Sequence, residues 1–321
     1  MLLSLTLLGL GLALLLAGGE ALVRGAVAAA ERLGVPTLVI GLTVVAFGTS
    51  TPELVVSLGA AWRGSPDLTF GNVVGSNLAN VTLLLGLTAL VKPVLVERRI
   101  VRREVPLMLL TAAAAAALAL DGSLGSAGAA DAFSRGDGLV LLLLFAVYLY
   151  GLLGDALGEK GPAGSTEAAA KPPASGWLAL GLIALGLVGL IAGGELTVRG
   201  ATDLARAAGL PEVVIALTVV AVGTSLPELV TCLAAARRGQ SDLVVGNLVG
   251  SNLYNLTFVL GLTAAAVPVP VPVGGGPDLL AMVAVSALLL PLALTGKRVS
   301  RPEGALLLAL FGGYTLWRVA A

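Results

Sequence analysis

The sequence predicts an all-α integral membrane protein of about ten transmembrane helices in two inverted-topology five-helix repeats, with broken second and seventh helices. Three observations carry this expectation. The 321-residue chain is 57% apolar and only 12% charged, whereas soluble domains carry about 25% charged residues. Residues 41–91 return as 216–266 at a constant offset of 175, with about two-thirds of positions identical. Self-similarity of this kind marks two copies of one structural unit. Each copy also sets a glutamate, Glu53 or Glu228, in strongly apolar sequence.

A membrane helix needs about 20 mostly apolar residues. On that rule spans fall at 3–29, 35–61, 68–91, 104–121, 137–155, 175–205, 210–236, 243–266, 278–295 and 303–320. The first run lacks a basic leader and continues into Gly18-Gly19-Glu20, which is matched by Gly193-Gly194-Glu195. It therefore reads as a mature helix and not as a signal peptide. The second and seventh spans each contain Gly-Thr-Ser-x-Pro-Glu, at 48–53 and 223–228. Proline has no N–H and does not fit a regular helix interior. These spans should break near mid-membrane and free backbone carbonyls, those of Ala46 and Ala221.

A polar linker, 156–174, separates a first repeat, 1–155, from a second, 175–321; its Gly, Pro and Ser content marks a flexible connector. Five spans per half is an odd number, so the second copy enters the membrane from the opposite face. Antiparallel repeats with helices broken at matching positions are a transporter signature. With the N-terminus outside, 14 of the 19 Lys and Arg residues fall in inside segments, Arg98, Arg99, Arg102 and Arg103 among them. This bias puts the linker in the cytoplasm and both termini outside.

Composition also narrows the chemistry. Charge is balanced, 19 basic against 19 acidic residues, which lacks the basic footprint of a nucleic-acid binder. The expected partners are the lipid bilayer and inorganic cations, with no obligatory protein partner evident. Cys232 stands alone, so no intrachain disulfide forms. There is no histidine, which removes a histidine base, proton relay or metal ligand.

A carboxylate at membrane depth is costly and marks function by default. Two on symmetry-related helices should meet near the midplane, where they repel unless a proton or cation intervenes. Around them the motif supplies only oxygen: the hydroxyls of Thr49, Ser50, Thr224 and Ser225, and the freed carbonyls of Ala46 and Ala221. In the following spans Ser76 and Asn80, and likewise Ser251 and Asn255, lie four residues apart and share a helix face. All-oxygen surroundings with two carboxylates suit a hard cation, Ca²⁺ first, with Na⁺ able to share many of the same oxygens. Zn²⁺ and Cu²⁺ ordinarily take nitrogen or sulfur.

Both stretches, with Gly-Thr-Ser-x-Pro-Glu and Gly-Asn-x-x-Gly-Ser-Asn each present twice, resemble the α-repeats of the cation/calcium exchanger superfamily, and most of all its prokaryotic sodium/calcium exchangers. The resemblance implies a secondary antiporter of an inner membrane, not an enzyme and without cofactor, that carries Ca²⁺ against Na⁺ by alternating access. It makes Glu53 and Glu228 the acidic ligands. Thr49, Ser50, Thr224, Ser225 and the Ala46 and Ala221 carbonyls would surround them, with Ser76, Ser251 and Asn80 completing the shell. Asn255 departs from the pattern: sodium/calcium exchangers often carry Asp there, and several members, proton-coupled ones included, carry Asn. A H⁺/Ca²⁺ antiporter is therefore the alternative. A cation channel is disfavoured, because channels usually ring their filter with several subunits. The first and sixth spans also repeat, as Ala-Gly-Gly-Glu at 17–20 and 192–195. The resemblance makes them a pair that slides past the central bundle on its glycine surfaces.

Overall fold

The structure, a computed structural model, describes residues 1–124, 130–158, 175–209, 221–294 and 296–320. Most of the linker, and residues 210–220 of the seventh span, lie outside them. The chain forms two compact units, each drawn from both copies: Met1–Thr49 with Gly154–Asn247, and Ser50–Leu153 with Leu248–Ala321.

In the first unit, α1 (Leu2–Leu33) packs antiparallel to α7 (Gly176–Ala207). The contact follows from a seven-residue period of small residues, Ser4, Gly11, Gly18 and Gly25 against Ala179, Gly186, Gly193 and Gly200. A methyl group added at Gly11, Gly18 or Gly25 would lie 2.8–2.9 Å from the carbonyl oxygen of Gly193, Gly186 or Ala179. Backbone meets backbone along the whole seam, as small residues permit in membranes. The expected glycine surfaces thus divide. Gly18 and Gly193 join the two long helices, while Gly19 and Gly194 face Val230 and Pro227 of α9 (Leu226–Arg237).

The same unit holds α2 (Thr37–Thr49), which includes a π-helical turn at Gly41–Val45, and the short α8 (Ala221–Thr224). It also holds the N-terminal half of α10 (Ser241–Ala266). Gly246 of α10 meets α2 closely: a methyl there would stand 3.0 Å from the Leu38 carbonyl oxygen and 3.2 Å from the Gly41 Cα. Gly71, its relative in the first copy, has open space beside it, so helix contact explains this glycine in one copy and not in the other.

The second unit contains α3 (Thr51–Trp62), α4 (Pro66–Val91), α5 (Val105–Ala119), α6 (Arg135–Gly158) as far as Leu153, α11 (Gly275–Leu294) and α12 (Arg301–Ala320), with the rest of α10. Two-residue strands link its copies: β1 (Val94–Leu95) pairs antiparallel with β4 (Arg298–Val299), and β2 (Ala132–Phe133) with β3 (Val269–Pro270). Phe70, Val74, Ala112, Phe133, Leu256 and Met282 share its apolar core.

Six of the described helices are long and apolar enough to cross a membrane, or seven if the bent α2–α3 pair counts as one span. Their burial sorts them. Only 22–28% of the most apolar windows of α1, α6 and α7 is buried, against 78% for α4 and 94% for α10. Leu143, Val147, Tyr150 and Leu185 stay largely exposed, as residues facing lipid do, whereas α4 and α10 are interior helices. An apolar helix buried all round lies at the centre of its bundle.

Candidate cation site

The broken helix is built as the motif predicts, with one difference of mechanism. Helices α2 and α3 meet at 42°, and the break falls at Ser50, whose φ of −84° and ψ of 5° leave the helical region. Pro52 is no mid-helix kink. It sits in the first turn of α3, where a missing N–H costs nothing. The second copy repeats this: Ser225 has φ −88° and ψ 6°, and Pro227 lies in the first turn of α9. Glu53 and Glu228 thereby become first-turn residues, where the positive end of the helix dipole favours a negative charge. Both are 1% exposed.

Serine before a helix usually caps it with its hydroxyl. Here neither Ser50 nor Ser225 does so, and the buried Ser225 hydroxyl has no hydrogen-bond partner among the described residues. The Thr49 hydroxyl lies 3.1 Å from the Val45 carbonyl oxygen and 3.4 Å from that of Ala46, the back-bonding common for helical threonine. It also donates to Asn247 Oδ1 at 3.1 Å. Thr49 is fully buried, whereas Thr224 is half-buried.

Two asparagines that the sequence reading passed over lock these helices. Asn72 Nδ2 donates to Ser57 Oγ at 2.9 Å and to the main-chain oxygen of Glu53 at 3.1 Å. Its relative Asn247 donates to Cys232 Sγ at 3.3 Å, and Cys232 is the residue matched to Ser57. Each Asn stands second in Gly-Asn-x-x-Gly-Ser-Asn, so its repetition was the available signal.

In the second unit, α4 and α10 bring Ser76, Asn77, Asn80, Ser251, Asn252 and Asn255 into the interior, each at most 4% exposed. Asn80 Nδ2 donates to Asn252 Oδ1 at 2.9 Å, and Asn252 donates to the Asn77 carbonyl oxygen at 3.4 Å. Asn77 itself bonds back to Val73 at 2.8 Å. These two asparagines therefore serve helix–helix and intrahelical bonding. Asn80 and Asn255 both fall in π-helical turns, Asn80–Leu84 and Tyr254–Val259, a feature frequent at functional positions. Asn80 Oδ1, Ser251 Oγ and both amide atoms of Asn255 are buried without a hydrogen-bond partner among the described residues. Buried polar atoms are normally satisfied, and oxygen is the donor type that a hard cation takes.

Among the described residues no three His, Cys, Asp or Glu side chains converge; the carboxylates that the repeat carries are Glu53 in the second unit and Glu228 in the first. Glu20 accepts from Arg24 Nε at 2.9 Å, four residues on, and Glu195 from Arg199 Nε at 2.5 Å. Glu20 is also bound by Arg238, at the end of α9, a tie across helices that sequence did not suggest.

Repeated broken helices with buried acids and open oxygens, carried on apolar spans, define a multi-pass membrane transporter of inorganic cations. The chain belongs to the sodium/calcium exchanger family: residues 3–154 and 178–320 match the family described as "Sodium/calcium exchanger protein". Members of this family are exchangers and not enzymes. The chain is 38% identical to "Putative antiporter CaxA" of Alkalimonas amylolytica, covering 95% of each chain. It is 30% identical to "Sodium/calcium exchanger MaX1" of Methanosarcina acetivorans, covering 94% of each. Its fold matches a solved structure of the sodium-calcium exchanger NCX_Mj, soaked with zero Na⁺ and Ca²⁺, at a TM-score of 0.84 and 34% identity over 100% of this chain and 99% of that one.

Proposed function

We propose that this protein exchanges Ca²⁺ for Na⁺ by alternating access, with Glu53 and Glu228 as the acidic ligands. Thr49, Ser50, Thr224, Ser225, Ser76, Ser251, Asn80 and Asn255 add side-chain oxygens, and Ala46 and Ala221 add carbonyls. The observation that carries the reading is the duplicated junction, where a buried glutamate opens a helix three residues after a serine that leaves the helical path. Two carboxylates carry a formal charge of −2, which one Ca²⁺ balances. A site neutralised by cations crosses the hydrocarbon barrier more cheaply than an empty one, and this enforces exchange over leak. Ten crossings in two inverted repeats, 1–155 and 175–321, would set the cytoplasmic linker between them and leave both termini outside. An inner membrane fits the bacterial relative "Inner membrane protein YrbG" of Escherichia coli, 36% identical over 99% of this chain.

Asn255 favours a second reading, H⁺/Ca²⁺ exchange. It puts a neutral, unpartnered amide where related exchangers often hold an acid, and so removes one charge that Na⁺ would balance. Radiolabelled calcium uptake into proteoliposomes separates the two readings. Uptake driven by an outward Na⁺ gradient at equal pH, and absent under an outward H⁺ gradient without Na⁺, is the expected result. The reverse pattern would establish proton coupling, and uptake without either gradient would overturn exchange altogether.

A further inference from the structure

The two short ribbons of the second unit are built alike and charged differently. Each joins the segment after a long interior helix, β1 after α4 or β3 after α10, to a strand that precedes a serine-capped helix. Ser134 Oγ and N–H donate to Asp137 at the start of α6, and Ser300 Oγ and N–H donate to Glu303 at the start of α12. The β1–β4 ribbon gathers Lys92, Arg98 and Arg102 with Lys297 and Arg298, from segments some two hundred residues apart in sequence. All five are exposed, and none makes an ion pair or side-chain hydrogen bond within the described residues. Leu95, cross-strand from Arg298, is 59% exposed among them.

Nearby acids do not balance this face. Glu97 is the exposed one, and Glu303 is bound to Ser300. At the other ribbon the positions matching Lys92, Arg98 and Arg102 hold Val267, Val273 and Pro277, and those matching Lys297 and Arg298 hold Asp131 and Ala132. The second ribbon forms the same pairing without a cationic cluster, so the cations are not needed to build the first.

We propose that the face around the β1–β4 ribbon binds the phosphate-bearing head group of an anionic phospholipid, with Leu95 reaching into the acyl region. Clustered Lys and Arg beside a membrane helix attract anionic lipid, each cation raising partitioning about fivefold. An exposed apolar residue within such a cluster distinguishes a lipid surface from a site for a soluble anion. The inference goes beyond the exchange reading and does not depend on the counter-ion.

Native mass spectrometry of the full-length protein in mild detergent tests it, with phosphatidylglycerol against phosphatidylcholine of the same acyl chains. Retention of phosphatidylglycerol should exceed that of phosphatidylcholine more than tenfold. A Lys92→Gln/Arg98→Gln/Arg298→Gln variant should abolish most of that preference. The variant keeps eleven of the fourteen inward basic residues, so the positive-inside bias is preserved and a topological role alone predicts no change. Equal retention of the two lipids, or an unchanged preference in the variant, overturns the proposal. Displacement of the lipid by millimolar glycerol 3-phosphate would overturn it too, by showing a site for a soluble phosphate. Should the variant not fold, the wild type decides: phosphatidylglycerol retention must fall steeply with salt, and a salt-independent preference refutes the cationic face.

Discussion

Glu53 and Glu228 are the proposed acidic ligands, and each stands in a helix's first turn with almost no exposure. Glu53→Gln or Glu228→Gln should bring calcium uptake down to that of empty liposomes. The melting temperature should hold or rise, because replacing a buried charge by a neutral isostere removes a desolvation cost. Uptake retained in both variants would remove these glutamates from the site. Asn247 acts one step away, since it accepts from Thr49 and donates to Cys232. Asn247→Ala should cost about 1–3 kcal/mol in chemical unfolding by leaving buried polar groups unpaired, and should raise the KM for calcium. Cys232→Ser recreates the Asn–Ser pair of the first copy and should stay within about 1 kcal/mol of wild type.

Among the elements, the α1–α7 seam depends on residues that have no side chain. A Cβ at Gly186 would lie 2.6 Å from the Leu22 backbone nitrogen, whereas Gly181, five residues earlier in α7, has nothing within 4 Å of that position. Gly186→Leu should therefore destabilise by about 1–3 kcal/mol or more through overpacking. Gly181→Ala should be neutral or stabilising by about 0.5–1 kcal/mol through helix propensity. Thermal unfolding in detergent measures both, and similar effects at the two positions would mean that the seam is not tightly packed. The seam also bears on transport. In the proposed cycle, two helices joined backbone to backbone would move as one body, and any sliding would fall to the Gly19 and Gly194 face toward α9.

At the scale of the whole molecule, the repeat is a symmetry of sequence, while the compact units mix residues from both copies. Orientation then rests on the distribution of charge. A Gly164→Cys substitution in the linker, in a Cys232→Ser background, should be labelled by a membrane-impermeant maleimide in inside-out vesicles and spared in intact cells. Labelling from the outside would invert the topology. Asn255→Asp tests the coupling of the whole cycle: an added carboxylate should increase the dependence of calcium uptake on Na⁺, and unchanged Na⁺ dependence would clear Asn255 of setting the counter-ion.

Sequence by itself determined the membrane class, the duplicated unit, the broken helix and the two acids, because each is written in local chemistry: a long apolar run, a proline, a charge where none is cheap. It also held the Ser4, Gly11, Gly18 and Gly25 period, whose meaning appeared only with the opposing stripe on α7. Tertiary structure alone decided that Pro52 and Pro227 start helices instead of kinking them, because a break is located by the dihedrals of the serine before it. It decided the roles of Asn72, Asn247 and Asn252, whose amides choose partners on other helices. It also brought Lys92 and Arg98 beside Lys297 and Arg298. Such pairings join residues far apart in the chain, and no periodicity records them; they are fixed only when helices pack and buried polar groups must find partners in space.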